Sequence, residues 1–153
     1  MRIVGVDLGL KRVGLAISDP SGTLARPLRT IERGPSDTTA AAVLADAIAA
    51  LAADEDGVEA VVVGLPKRLD GSDTEQTLHV RRMVDRMRRL IAAPIVLQDE
   101  RLSSHEADSR LALTERDWRK RKARLDAASA AIILQDYLDN RALLTPSHPV
   151  IED

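Results

Sequence analysis

The chain has 153 residues, 24 of them acidic and 22 basic, for a formal net charge of -2; it contains no cysteine or phenylalanine and a single tryptophan and tyrosine. That length suits one domain around a single core and leaves no room for a second catalytic lobe. Without cysteine there can be no disulfide, thiolate zinc site, iron–sulfur cluster or cysteine nucleophile, so a metal would have to be held by carboxylates or by one of the three histidines.

Residues 2 to 7 (RIVGVD) form a short, mostly apolar run, and over residues 12 to 18 (RVGLAIS) Val13, Leu15 and Ile17 alternate with the smaller Gly14, Ala16 and Ser18. Both patterns predict strands. The link around Leu8-Gly9-Leu10-Lys11 is too short for a crossover helix, so the two strands should pair as an antiparallel hairpin. Asp19-Pro20-Ser21-Gly22 carries turn chemistry and leads into a third strand near Leu24 to Glu32. Pro27 lacks a backbone donor and places that strand at a sheet edge.

The period then changes. Val43, Leu44, Ala47, Ile48 and Leu51 fall on one face of a helix predicted from about Ser36 to Ala53, which ends at the acidic Asp54-Glu55-Asp56-Gly57. Val58 to Gly64 reads as a buried strand. Ser72 and Glu75 have capping-box spacing ahead of Val80, Met83, Val84, Met87, Leu90 and Ile91, which recur at helical intervals. Pro94 to Leu97 is a fifth short strand. Ser103 and Glu106 open a helix to about Leu113, and the last helix is predicted from Leu125 to Asp139, rich in alanine where it can lie close against a sheet.

This order implies an α/β layer fold with one mixed sheet, and the chain shows no internal repeat or domain boundary. Residues 1–140 are expected to form the domain and 141–153, which include Pro146 and Pro149, a mobile tail. No stretch approaches the roughly 20 apolar residues needed to cross a bilayer, and the N-terminus lacks the pattern of a signal peptide, so a soluble, cytoplasmic protein is expected, with no membrane partner.

Three carboxylates sit at the ends of predicted elements: Asp7 closes the first strand, Glu100 follows the fifth in the string QDERLS, and Asp126 lies in the first turn of the last helix. In α/β sheets metal and ligand sites collect at the carboxyl ends of parallel strands, and hard divalent cations such as magnesium take oxygen ligands while keeping several waters. Each acid also has a plainer use. Asp7 suits a turn before Gly9, Glu100 a solvated loop charge, and Asp126 a complement to the helix dipole. Against the last, Asp126, Ala130, Ile133 and Tyr137 share one helical stripe, which turns the carboxylate partly inward, where an unpaired charge is costly.

Basic residues gather beside these acids. Lys11 and Arg12 follow Asp7, and residues 110–124 carry seven basic side chains against two acidic ones, a run expected to form a loop before the last helix. Such a loop would suit a phosphate-backbone substrate. The arginines Arg81, Arg82, Arg86, Arg88 and Arg89 read more simply as a solvated helix face. With only two aromatic rings the chain cannot build a base-stacking platform, so nucleic acid would be gripped through charge and backbone contacts. His79, His105 and His148 have no ligand spacing, and Ser103 and Ser104 have no histidine–acid pair to activate them.

Four strings, in this order and spacing, carry a resemblance: GVDLGLKRVGLAISDP, VVVGLPKRLDGSD, QDERLSSHEA and RLDAASAAIILQDYLD. Together they resemble the YqgF family of bacterial proteins, described as Holliday-junction resolvase-like nucleases and as pre-16S rRNA nucleases, over roughly residues 1 to 140. The resemblance implies a ribonuclease H-like fold, a five-stranded mixed sheet with helices on both faces, in which the first and fourth strands are neighbours and the fifth lies beyond. It also implies that Asp7, Glu100 and Asp126 are the catalytic acids. The expected function is a Mg2+- or Mn2+-dependent endonuclease that processes the 5′ end of pre-16S rRNA in ribosome biogenesis, acting as monomer or homodimer. Asp7, Glu100 and Asp126 would hold the metal, and Lys11, Arg12, Arg101, Ser103, Lys120, Arg121 and Lys122 the substrate. Three alternatives stay open: a resolvase of four-way DNA junctions, a nucleotide-binding protein suggested by Asp7-Leu8-Gly9 with Lys11 and Gly14, and a non-catalytic RNA-binding module.

Overall fold

The computed structural model describes residues 1–99 and 118–144, with side chains of the last helix described from Asp126 to Ala142. Five strands, β1 (Arg2–Leu8), β2 (Arg12–Ser18), β3 (Ala25–Glu32), β4 (Val58–Leu65) and β5 (Ile95–Asp99), form one sheet in the order β3-β2-β1-β4-β5. The hairpin neighbours β1, β2 and β3 are antiparallel, whereas β1–β4 and β4–β5 are parallel, so the sheet is mixed and its first and fourth strands are adjacent. β3 lies at the edge, as Pro27 requires, and the pairing with β2 slips one residue there, Leu15 facing Arg29 and Ala16 facing Pro27.

Three described helices, α1 (Asp37–Ala52), α2 (Glu75–Leu90) and α3 (Trp118–Leu144), cover the two faces of this sheet. Strand alternation decides what each covers. Val4, Val6, Leu8, Val13 and Leu15 point to the face packed by Leu44 and Ile48 of α1 and Val80, Met83, Val84 and Met87 of α2. Ile3, Ala16, Ala60 and Val62 point the other way, against Ala130, Ile133, Leu134 and Leu138 of α3. Full burial of a leucine or isoleucine stabilises by about 1.5–3 kcal/mol, so Ile133 and Leu134 alone give α3 a firm seat.

Small residues bring α3 unusually close. A Cβ on Gly5 would stand 2.8 Å from Leu134 Cβ and 2.9 Å from the Ala130 carbonyl, and one on Gly14 would stand 2.0 Å from the Asp126 carbonyl. Neither distance is tolerable for carbon, so both strands need glycine where the helix crosses them. Gln135 of α3 also pins the edge strand: its amide oxygen accepts from Ala25 N at 2.9 Å and its nitrogen donates to the Thr23 carbonyl at 3.0 Å.

Several boundaries differ from expectation. Helix α2 is capped by Thr74, in reciprocal hydrogen bonds with Thr77, and not by Ser72. Ser72 is engaged elsewhere, its backbone and hydroxyl both donating to Asp70 at 2.9 and 2.6 Å, which closes a turn ahead of the helix. Strand β5 extends to Asp99 because β4 continues to offer partners, Gly64 to Gln98 and Leu65 to Asp99. The largest correction concerns α3. It starts at Trp118, so Arg119 to Arg124, including Lys120, Arg121 and Lys122, are helical and not part of a loop, in keeping with the high helix propensity of arginine, lysine and alanine. It also runs through Leu144, past Asp139, the expected end of the last helix. The helix predicted from Ser103 to Leu113 and the tail from Thr145 lie outside the described residues.

Candidate active site

Asp7 is the next-to-last residue of β1, at the carboxyl end of the parallel strands. It shares the parity of Ile3 and Gly5, so it belongs to the face that α3 covers, and its partner across the hairpin is Gly14. Because Gly14 has no side chain, the backbone of α3 presses onto β2 at Asp126. The same glycine therefore brings two carboxylates, one from a strand and one from a helix more than 100 residues later, to one spot on the sheet.

The electrostatics record this proximity. Burial raises the Asp7 carboxyl from an ordinary 3.8 to about 7, and the nearby charge of Asp126 pushes in the same direction. Asp126 lies two turns inside α3, too far from its start to act as a dipole complement, which corrects its expected place in the first turn. Arg12 gives it a counter-charge: Arg12 Nε donates to Asp126 Oδ2 at 3.1 Å, and both side chains are only one-fifth exposed. Arg12, expected to face a phosphate, thus sits against one of the acids in this structure.

The turn that links Asp7 to Arg12 is held from beneath by a residue that sequence reasoning missed. Arg33, nine-tenths buried, donates from its guanidinium to the Gly9 carbonyl at 3.3 Å and from its backbone to the Lys11 carbonyl at 3.2 Å. It also contacts Asp37 at the start of α1 and lies 2.8 Å from His79 Nε2 on α2. Burial and the Arg33 charge lower the pKa of His79, so the ring meets Arg33 as a neutral acceptor. Lys11 itself is exposed at the tip of the turn.

Of the other expected site residues, Glu100, Arg101 and Ser103 lie outside the described residues. Strand β5, which precedes them, ends at Asp99 two strand positions from β1, about 10 Å across the sheet. Lys120, Arg121 and Lys122 occupy the first two turns of α3, with Lys122 four residues ahead of Asp126. Among the described residues no group of three or more acids and histidines is placed to hold a metal ion. The pair Asp7 and Asp126 nevertheless has chemistry suited to magnesium: two hard oxygen donors, with Asp7 disfavoured as an anion by burial and by the charge of Asp126, a penalty that a bound divalent cation would offset.

Residues 1–140 match the family described as RuvX: Holliday junction resolvase. A protein of Anaeromyxobacter dehalogenans strain 2CP-1, provisionally named a pre-16S rRNA nuclease, is 42% identical over 142 residues, covering 93% of this chain and 99% of the relative. One of Nitratidesulfovibrio vulgaris with the same provisional name is 40% identical over 139 residues, covering 91% and 94%. Among solved structures, RuvC of Thermus thermophilus in complex with a Holliday junction substrate superposes with a TM-score of 0.52 at 16% identity, over 92% of this chain and 95% of that one. At that identity the likeness bears on the fold, and the fold is the ribonuclease H-like one expected.

Proposed function

Because the chain belongs to the RuvX Holliday junction resolvase family, we propose that it is a metal-dependent endonuclease that cleaves structured RNA, with the 5′ end of the 16S ribosomal RNA precursor as its substrate in the cytoplasm. The observation that carries the reading is the meeting of Asp7 and Asp126 over Gly14 at the carboxyl edge of the sheet. Asp7, Asp126 and Glu100 would hold Mg2+ or Mn2+. A divalent ion held there supplies a Lewis acid for phosphoryl oxygens and acidifies a bound water.

The chain's own groups have distinct tasks in this reading. Asp7 and Asp126 fix the acid pair on rigid elements, a central strand and a long helix, which keeps their relative position independent of any loop. Lys11 projects from the hairpin turn and, with Arg101 and Ser103, would hold phosphates on either side of the scissile bond. Lys120, Arg121 and Lys122 would track the backbone further along α3, where salt-sensitive contacts position the substrate without reading its sequence. Two aromatic residues in the whole chain favour recognition of this kind over base stacking.

Replacing Asp7 with Asn tests the assignment: RNA binding should survive while Mg2+-dependent cleavage disappears, and full activity in that variant would refute it. The family's description favours a second reading, the same chemistry on four-way DNA junctions. Such an enzyme would act as a symmetric dimer making paired cuts, and cleavage of a synthetic junction beside a precursor-rRNA fragment separates the two.

A further inference from the structure

We propose that Arg12 is an internal counter-cation that competes with the metal for Asp126 and, once displaced, binds the RNA backbone, so that metal loading and substrate binding reinforce each other. The inference rests on the reading of Asp7 and Asp126 as metal ligands. It starts from the ion pair itself: Arg12 Nε and Asp126 Oδ2 are 3.1 Å apart, on side chains that are each one-fifth exposed. A guanidinium keeps its charge at any pH at which the protein is folded, so it cannot yield to a cation by losing a proton. It can only move.

The structure limits how it moves. Arg12 opens β2 and is paired there with Glu32 of β3, while the turn before it is tied down by the Arg33 bonds to Gly9 and Lys11. The backbone under Arg12 is therefore fixed, and the change is confined to a side-chain rotation. Among the described residues the bond to Asp126 engages only Nε, so the two Nη groups keep donors in the fork geometry that matches a phosphate. The Arg12 side chain is itself one-fifth exposed, so its guanidinium already borders solvent. With Asp126 engaged by a divalent ion, Arg12 would lose its carboxylate partner to a like charge, and its guanidinium would be free to carry its charge toward the polyanion. By linkage the converse holds: RNA that draws Arg12 away from Asp126 raises the affinity for the metal by the same factor.

The competition predicts changes of opposite sign in one variant. Mn2+ titrated calorimetrically into the full chain without RNA should bind about three- to tenfold more tightly to Arg12→Gln than to the wild type, since a partly buried competitor is gone. The same variant should bind an RNA stem-loop in Ca2+ about tenfold more weakly. A purely structural role for Arg12 would weaken both. Asp126→Asn separates the failure modes. If it binds Mn2+ like the wild type, the ion is held elsewhere and both the site and this inference fall. If it loses Mn2+ while Arg12→Gln gains nothing, the site stands and the role of Arg12 is overturned. Should Arg12→Gln fold poorly, the wild type answers alone: its Arg12 Nε–H resonance, assigned by its loss in Arg12→Lys, should shift as Mg2+ saturates the protein, and a resonance that stays put refutes the displacement.

Discussion

An acid placed for metal binding should destabilise the fold that carries it, and Asp7 allows the size of that effect to be worked out. In the unfolded chain its carboxyl ionises near 3.8; in the fold, burial and Asp126 hold it protonated up to about 7. The folded state therefore binds the proton more tightly. Its stability falls as pH rises from the lower value to the higher, and above about 7 the full cost of a charged Asp7 is present. At about 1.4 kcal/mol for each tenfold change in proton affinity the cost reaches about 4 kcal/mol at pH 8 and about 2 kcal/mol at pH 5. Water at the partly buried carboxylate screens some of this, so about 2 kcal/mol is the expected cost at pH 8. Asp7→Asn removes the charge with little change of shape. Urea denaturation in the presence of a chelator should find the variant more stable than the wild type at pH 8, by about 2 kcal/mol, with the gap closing toward pH 5. Saturating Mg2+ should then stabilise the wild type and leave the variant unmoved, as binding to the folded state alone requires. A gap that does not change with pH, or a variant less stable than the wild type at pH 8, would show that burial and Asp126 do not hold Asp7 protonated and would refute the reasoning.

Other expectations follow from single contacts. Gly14→Ala places a carbon 2.0 Å from the Asp126 carbonyl, so it should lift α3 from β2, lower stability by about 1–3 kcal/mol or more in thermal melts, and weaken Mn2+ binding with it. Arg33→Ala removes the guanidinium beneath the β1–β2 turn and leaves the half-buried Gly9 carbonyl and His79 ring without that donor, while the backbone bond to Lys11 stays; a loss of about 1–3 kcal/mol is expected in urea denaturation, with faster amide exchange around Gly9. Replacing Lys120, Arg121 and Lys122 together by Gln should reduce the slope of log RNA affinity against log salt by about 2–3, measured by filter binding, while far-UV circular dichroism stays helical.

Much of the fold is legible along the chain because its signals are local. The apolar runs of β1 and β4, the alternation in β2 and the donorless Pro27 each follow from the period and hydrogen-bonding needs of a strand. Boundaries were less legible where two local interactions compete, as at Ser72, whose capping spacing is real but whose hydroxyl is already used by Asp70. The charge run before Asp126 misled for a related reason: a row of basic residues suits a solvated loop and a solvated helix alike, and residues whose stems favour helix tip the balance. Arg33 left no trace in the pattern, because its value lies in reaching a turn more than 20 residues earlier.

The sequence by itself determined the chemistry available here: no thiols, almost no aromatic surface, acids at the ends of elements and basic residues next to them. It also carried the small residues Gly5 and Gly14 and an alanine-rich last helix that could approach them. Only the tertiary structure decided what those acids do to each other. Asp7 becomes hard to ionise, and Arg12 turns to Asp126, because a helix from the end of the chain settles on a strand from its beginning. Charge interactions depend on distance and on exclusion of water, and neither exists until the chain has folded.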